Sequence, residues 1–136
     1  MLLTIEKVII LKSIDVFSEI SEHDLLAIAM DLEVQEYKKG TVITKEGEYG
    51  DTTYIIITGE VSVVVGGKQI DTLGDKTIFG ELEVFDPKPR FATITTTKDT
   101  LLFKVESDML NELIDRYTDV ARGIIKILAQ RVRIAR

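Results

Sequence analysis

Apolar residues recur at helical spacing at both ends of the chain, and between those ends they switch to the alternation of strands. Near the N-terminus Thr4 is placed to cap the run IEKVIILK. Ser21 is placed to cap EHDLLAIAMDL, with Asp24 at the far end of a capping box. In the second run Leu25, Ile28, Ala29 and Leu32 fall on one helical face. The intervening SIDVFSEI holds Ile14, Val16, Phe17 and Ile20 in a short turn, an apolar patch suited to packing both helices.

From Glu33 to Val105 the pattern predicts strands of about five to seven residues, each ended by Gly, Asp or Pro. They are EVQEYK, TVITK, TTYIIIT, EVSVVV, KQIDTL, FATITTT and TLLFKV. Gly66-Gly67 marks a tight hairpin, since glycine takes the positive φ such turns need without a steric cost. The following lysine opens a strand and no Ser or Thr comes after it, so GGK is not a phosphate loop. EGEYGD is a second glycine-punctuated turn.

Beyond the strands Ser107 is placed to cap DMLNELIDRY, and a longer helix begins near Thr118. Ala121, Ile125, Leu128, Val132 and Ala135 are spaced four and three apart along it, beside a second stripe of Val120, Ile124, Ile127 and Ile134. Two arrangements fit: one stripe facing the barrel and the other a partner, or one wide stripe facing the core. Arg131, Arg133 and Arg136 sit where cations complement the helix dipole. The predicted fold is α+β, mainly β, in a single domain spanning 1–136. Helices occupy 1–32 and 106–136, and an antiparallel β jelly-roll barrel occupies 33–105 with a short helix inside it.

Composition narrows the chemistry. At 136 residues the chain is one domain in size, long enough to bury roughly two-thirds of its unfolded surface. With no cysteine there are no disulfides or thiolate metal sites, which fits a reducing, cytoplasmic setting. The one histidine, His23, follows a helix cap and reads as a surface residue, so zinc sites and histidine-based triads lack their parts. A sugar-binding jelly-roll enzyme would be short of metal ligands for the same reason, and no enzymatic activity, metal or cofactor is expected. The net charge of −6 argues against nucleic-acid binding, which rests on neutralising many phosphates. The apolar run from Val8 to Leu11 falls far short of the ~20 residues a membrane span needs, so neither a span nor a targeting segment is expected.

One stretch interrupts the strand series: FGELEVFDPKPRFATI, residues 79–94. Gly80 lets a ligand approach the backbone, and a short helix from Glu81 to Phe85 would offer N–H groups to an anion. Pro87 and Pro89 stiffen the return to Arg90, whose guanidinium suits phosphate. A carboxylate beside such a site makes sense when the ligand also donates a hydroxyl, as a sugar phosphate or nucleotide does.

These residues, with the two N-terminal helices, the glycine-punctuated strands and the two closing helices, resemble the cyclic nucleotide-binding domain family of catabolite activator protein and the protein kinase A regulatory subunit. The cassette is similar to the family pattern FGELALL…PRAATV at Phe79, Gly80, Glu81, Leu82, Pro89, Arg90, Ala92 and Thr93, and the likeness runs from about Leu11 to Arg133. It implies a ligand, cyclic AMP rather than cyclic GMP. Glu81 would accept from the ribose 2′-hydroxyl, Arg90 would pair with the cyclic phosphate, and the Gly80–Leu82 backbone would add contacts. Val63 or Ile70 would line the base pocket, and the last helix would close over it. Gly80, Glu81, Leu82, Glu83, Arg90, Phe91 and Ala92 are therefore the expected ligand-binding residues. The implied partners are the nucleotide itself and a second copy or a fused output domain engaged through the C-terminal helix.

Three positions depart from that pattern. Glu83 stands where the family has a small residue, Phe91 where it has Ala, Ser or Thr, and Lys76 where a turn glycine is common. A carboxylate ~6 Å from the phosphate costs about 3 kcal/mol at an effective dielectric of ~20, as much as a charge-assisted Arg–phosphate hydrogen bond contributes. Glu83 pointing inward would cancel Arg90; pointing outward, it would be screened and partly offset by Lys88. Phe91 pointing inward would plug the pocket. Lacking a hydroxyl, it also lacks a guanine-reading contact, which is the ground for preferring adenine. Two readings stay open: a regulatory domain that binds cyclic nucleotide and relays occupancy through its C-terminal helices, or a degenerate fold that no longer binds it and serves protein interaction or dimerisation.

Overall fold

The computed structural model describes residues 2–135. The chain forms two compact units. One is helical and holds the N-terminal helices and everything from Asp108 onward; the other is Leu32–Ser107.

In the helical unit α1 spans Thr4–Lys12 and α2 spans Glu22–Asp31, with a 3₁₀ turn at Asp15–Phe17 between them. Thr4 proves to be the first helical residue, not the cap. Leu3 occupies the cap position, and its N–H donates to Glu6 Oε1 at 2.9 Å. Ser21 does cap α2, its Oγ accepting from the Asp24 N–H at 3.2 Å. The apolar face read from the sequence is buried: Leu25, Ile28 and Ala29 in α2, and Ile14, Val16, Phe17 and Ile20 in the connecting turn. His23 is exposed.

The closing helices are α4, Ser107–Arg116, and α5, Thr118–Ala135. In α5 Val120 and Ile124 are buried, and the helix comes so near the 3₁₀ turn that a Cβ on Gly123 would lie 3.1 Å from Val16 Cα. Of the other stripe, Ile125 and Val132 are exposed, and Ala121 and Leu128 are half-buried; Ile134, which the sequence had grouped with Val120 and Ile124, is exposed. Arg133 lies in the last turn as the dipole argument requires, while Arg136 lies outside the described residues.

The β unit differs from a closed barrel. Its eight strands form two antiparallel four-stranded sheets, ordered β1-β8-β3-β6 and β2-β7-β4-β5. The first sheet comprises β1 (Glu33–Tyr37), β3 (Thr53–Thr58), β6 (Ile78–Phe79) and β8 (Thr100–Val105). The second comprises β2 (Val42–Thr44), β4 (Val61–Val65), β5 (Lys68–Leu73) and β7 (Thr93–Thr96). Their facing side chains make one core: Tyr54, Ile56, Phe79 and Leu102 from the first sheet with Val61, Val63, Ala92 and Ile94 from the second and its approach.

Gly66 and Gly67, both at positive φ, close the β4–β5 hairpin as predicted. The β6 strand was not anticipated, because two residues are too few to show a period. It is held by β3, with Tyr54 opposite Phe79 and Ile55 opposite Ile78. Lys76, just before β6, has φ 65°, the left-handed conformation that explains why a glycine suits this position. Among the described residues no helix is long and apolar enough to cross a membrane.

Candidate functional site

The cassette begins where β6 ends. Gly80 has φ 86°, and a Cβ there would sit 2.7 Å from Thr52 O and 3.1 Å from Arg90 Nη1. Conformation and space therefore both demand glycine. Behind it, the Tyr54 and Phe79 rings stack with centroids 5.1 Å apart. Burial raises the Tyr54 hydroxyl pKa; nearby Tyr37 adds to the effect, and Lys104 and Arg90 oppose it.

After Gly80 the chain makes a single helical turn, α3, Leu82–Phe85, with Glu81 at its cap position. The turn alternates sharply. Glu81 and Glu83 are buried at 1% and 6% exposure, whereas Leu82 and Phe85 lie on the outside. Asp86 to Pro89 form an exposed connection that returns the chain to Arg90.

Arg90 is fixed at both its main chain and its side chain. Its N–H donates to Glu48 O and its carbonyl accepts from the Gly47 N–H, each at 2.8 Å, so the EGEYGD turn grips the backbone. The guanidinium is 6% exposed. Nη1 donates to Gly80 O at 3.0 Å and Nη2 donates to Thr52 O at 2.8 Å. Its Nε side lies against Gly50, where a Cβ would be 3.2 Å away. The remaining partner is Glu83, whose Oε1 accepts from Nη1 at 2.8 Å in a buried ion pair.

The expected site residues thus separate. Gly80, Glu83 and Arg90 converge on one buried, charged cradle, and Glu81 and Ala92, next to Gly80 and two residues past Arg90 in the chain, are buried. Glu83 takes the inward orientation, and Lys88 does not offset it: Lys88 pairs with Asp86 at 3.3 Å, both exposed. Leu82 keeps its side chain outside the cradle. Phe91 is 48% exposed, so it does not plug the interior. Of the two residues expected to line a base pocket, Val63 is buried in the core, but Ile70 is 55% exposed on the edge strand β5.

Sequence reasoning missed Thr52 and Gly50. Thr52 acts through its carbonyl, which no side-chain pattern reveals. The glycine of EGEYGD was visible as a turn but not as room for a guanidinium. Among the described residues no group of three or more His, Cys, Asp or Glu could hold a metal ion.

A buried arginine held by two main-chain carbonyls and paired with a buried glutamate, beside a positive-φ glycine, has the donor chemistry to recognise an anion. Comparison with known proteins assigns it to a family. A sequence profile described as the cyclic nucleotide-binding domain matches residues 34–117. The chain belongs to the cyclic nucleotide-binding domain family. It is 29% identical over 129 residues to a CRP-like cAMP-activated global transcriptional regulator of Mycobacterium tuberculosis, a match covering 91% of this chain and 58% of that protein. It is 33% identical over 104 residues to a cGMP-dependent protein kinase of Toxoplasma gondii, covering 76% of this chain and 10% of the kinase. Among solved structures, the catabolite activator protein of Thermus thermophilus superposes with a TM-score of 0.78 at 25% identity, over 89% of this chain and 59% of that one. A cAMP-bound PfPKA-R structure superposes with a TM-score of 0.82 at 24% identity, over 97% of this chain and 47% of its own, a likeness of fold. This cyclic nucleotide-binding domain therefore spans only part of the length of each of these relatives.

Proposed function

We propose that this domain is a non-enzymatic regulatory module, spanning residues 1–136, that binds a cyclic nucleotide. Cyclic AMP is preferred over cyclic GMP. Arg90 takes the cyclic phosphate, Glu81 accepts from the ribose hydroxyl, and the Gly80–Leu82 backbone supplies the remaining contacts.

The observation that carries this reading is Arg90: a guanidinium at 6% exposure, held in place by the Gly80 and Thr52 carbonyls. Those two acceptors are neutral. They orient the arginine without themselves neutralising its charge. Phe91, 48% exposed, does not plug the interior, and its lack of a hydroxyl favours adenine.

Occupancy is relayed through α4 and α5 to the extent that ligand binds one of two conformations better. The output lies in a partner or in further sequence, in keeping with relatives that extend well beyond the matched segment. The exposed positions Ile125 and Val132 of α5 are the surface offered to a second copy or an output domain, in a cytoplasmic setting.

The Glu83–Arg90 ion pair favours a second reading, in which the cradle is closed by its own carboxylate and the domain serves protein interaction. Calorimetric titration of the protein with cyclic AMP and with cyclic GMP separates the two. Saturable binding, tighter for cyclic AMP, is expected from the sensor. No heat with either nucleotide at millimolar concentration would exclude it.

A further inference from the structure

The Arg90 guanidinium pairs with a charged group, Glu83. Two of its three hydrogen-bond acceptors are main-chain carbonyls, and the third is Glu83 Oε1 at 2.8 Å. Both hydrogen bonds of Nη1 are taken, one by the Gly80 carbonyl and one by the carboxylate, so an anionic ligand that pairs with Nη1 has to take the place Glu83 holds. A cyclic phosphate entering beside the intact pair would be a second anionic group at the one Arg90 guanidinium. Like charges at contact in a buried site are strongly disfavoured.

From this we infer that nucleotide binding is an exchange: the Glu83 carboxylate is the resident counter-ion of Arg90, and it leaves as the cyclic phosphate arrives. This rests on the sensor reading given above. Glu83 lies on α3, a single turn closed by two main-chain hydrogen bonds, Val84 N–H to Glu81 O at 3.1 Å and Asp86 N–H to Leu82 O at 2.9 Å. So small an element, joined to an exposed connection, can swing Glu83 out without disturbing the sheets. Arg90 does not travel with it, since both carbonyls and the EGEYGD turn still hold it. Glu83 is thus a positioning residue that sets the response threshold. It keeps the arginine neutralised at low nucleotide concentration and makes affinity weaker than the cradle alone would give.

The test is the dissociation constant for cyclic AMP, measured by calorimetry, of the wild type, Glu83→Ala, Glu83→Gln and Glu83→Gln with Arg90→Gln. Melting curves of the unliganded proteins serve as the folding control. Glu83→Gln keeps a carbonyl oxygen for Nη1 while removing the charge, so the answer does not hang on whether Glu83→Ala folds. The exchange predicts that Glu83→Gln binds cyclic AMP about tenfold or more tightly than wild type, and that adding Arg90→Gln abolishes the gain. Binding by wild type and Glu83→Gln within twofold of each other would overturn the exchange and leave the sensor reading intact. Absence of binding in every form at millimolar cyclic AMP would overturn both.

Discussion

If Glu83 and Arg90 form one unit, removing both should cost clearly less than the sum of removing each. The two side chains are each 6% exposed and meet at 2.8 Å, a gross attraction of about 6 kcal/mol at an effective dielectric of ~20. Most of this only offsets the desolvation of two buried ions, so the pair contributes little net stability while each half depends on the other. Arg90→Met strands a buried carboxylate and leaves the Gly80 and Thr52 carbonyls without their donor, an expected loss of about 4–6 kcal/mol. Glu83→Leu strands a guanidinium that keeps two carbonyl partners, an expected loss of about 3 kcal/mol. The double variant should be less destabilised than the sum of the two by about 2 kcal/mol or more. Urea unfolding of the four proteins at neutral pH measures this, with the m-value checked for constancy across the set. Additive losses, within about 0.5 kcal/mol, would refute the claim that the carboxylate and the guanidinium depend on each other.

Further outcomes follow from the backbone and the core. Gly80→Ala combines a left-handed φ with a Cβ 2.7 Å from Thr52 O, and should lose about 2–5 kcal/mol in the same assay; a loss under about 0.5 kcal/mol would mean that the turn relaxes freely. Lys76→Gly relieves the left-handed strain at φ 65° and should gain about 1 kcal/mol, whereas a loss would show that the lysine side chain matters more than its backbone. Burial raises the Tyr54 pKa above its unfolded value, so the proton is held more tightly in the folded state. This contribution is fully present below about pH 10 and is lost as pH rises through the folded pKa. Stability should accordingly fall in alkali above pH ~10, and Tyr54→Phe should flatten that fall in pH-dependent melting curves.

How much of this was legible in the sequence depended on whether the cause was local. The N-terminal helices and their buried faces followed from spacing alone, because Leu25, Ile28 and Ala29 answer to the 3.6-residue period. The Gly66-Gly67 hairpin followed from turn chemistry. What failed was long-range or below the length of a period. The two-residue strand β6 exists because β3 pairs with it, and the separation of the strands into two sheets depends on partners far apart in sequence. At the cradle, residue types picked out Gly80, Glu81 and Arg90, and the spacing brought them together. Orientation could not be read: Glu83 and Phe91 were both suspected of obstructing the site, and only Glu83 turns inward. Burial of both Glu81 and Glu83 is not what helical spacing predicts, since residues two apart on a turn face different ways; Glu83 turns inward because the main-chain-clamped guanidinium receives it.

The central claim is that Arg90 binds the phosphate of a cyclic nucleotide, and its most direct test is the affinity of the wild type and of Arg90→Gln for cyclic AMP. A charge-assisted hydrogen bond to phosphate is worth about 1.5–3 kcal/mol, so Arg90→Gln should bind about 10- to 150-fold more weakly. Equal affinity in the two proteins would contradict the account.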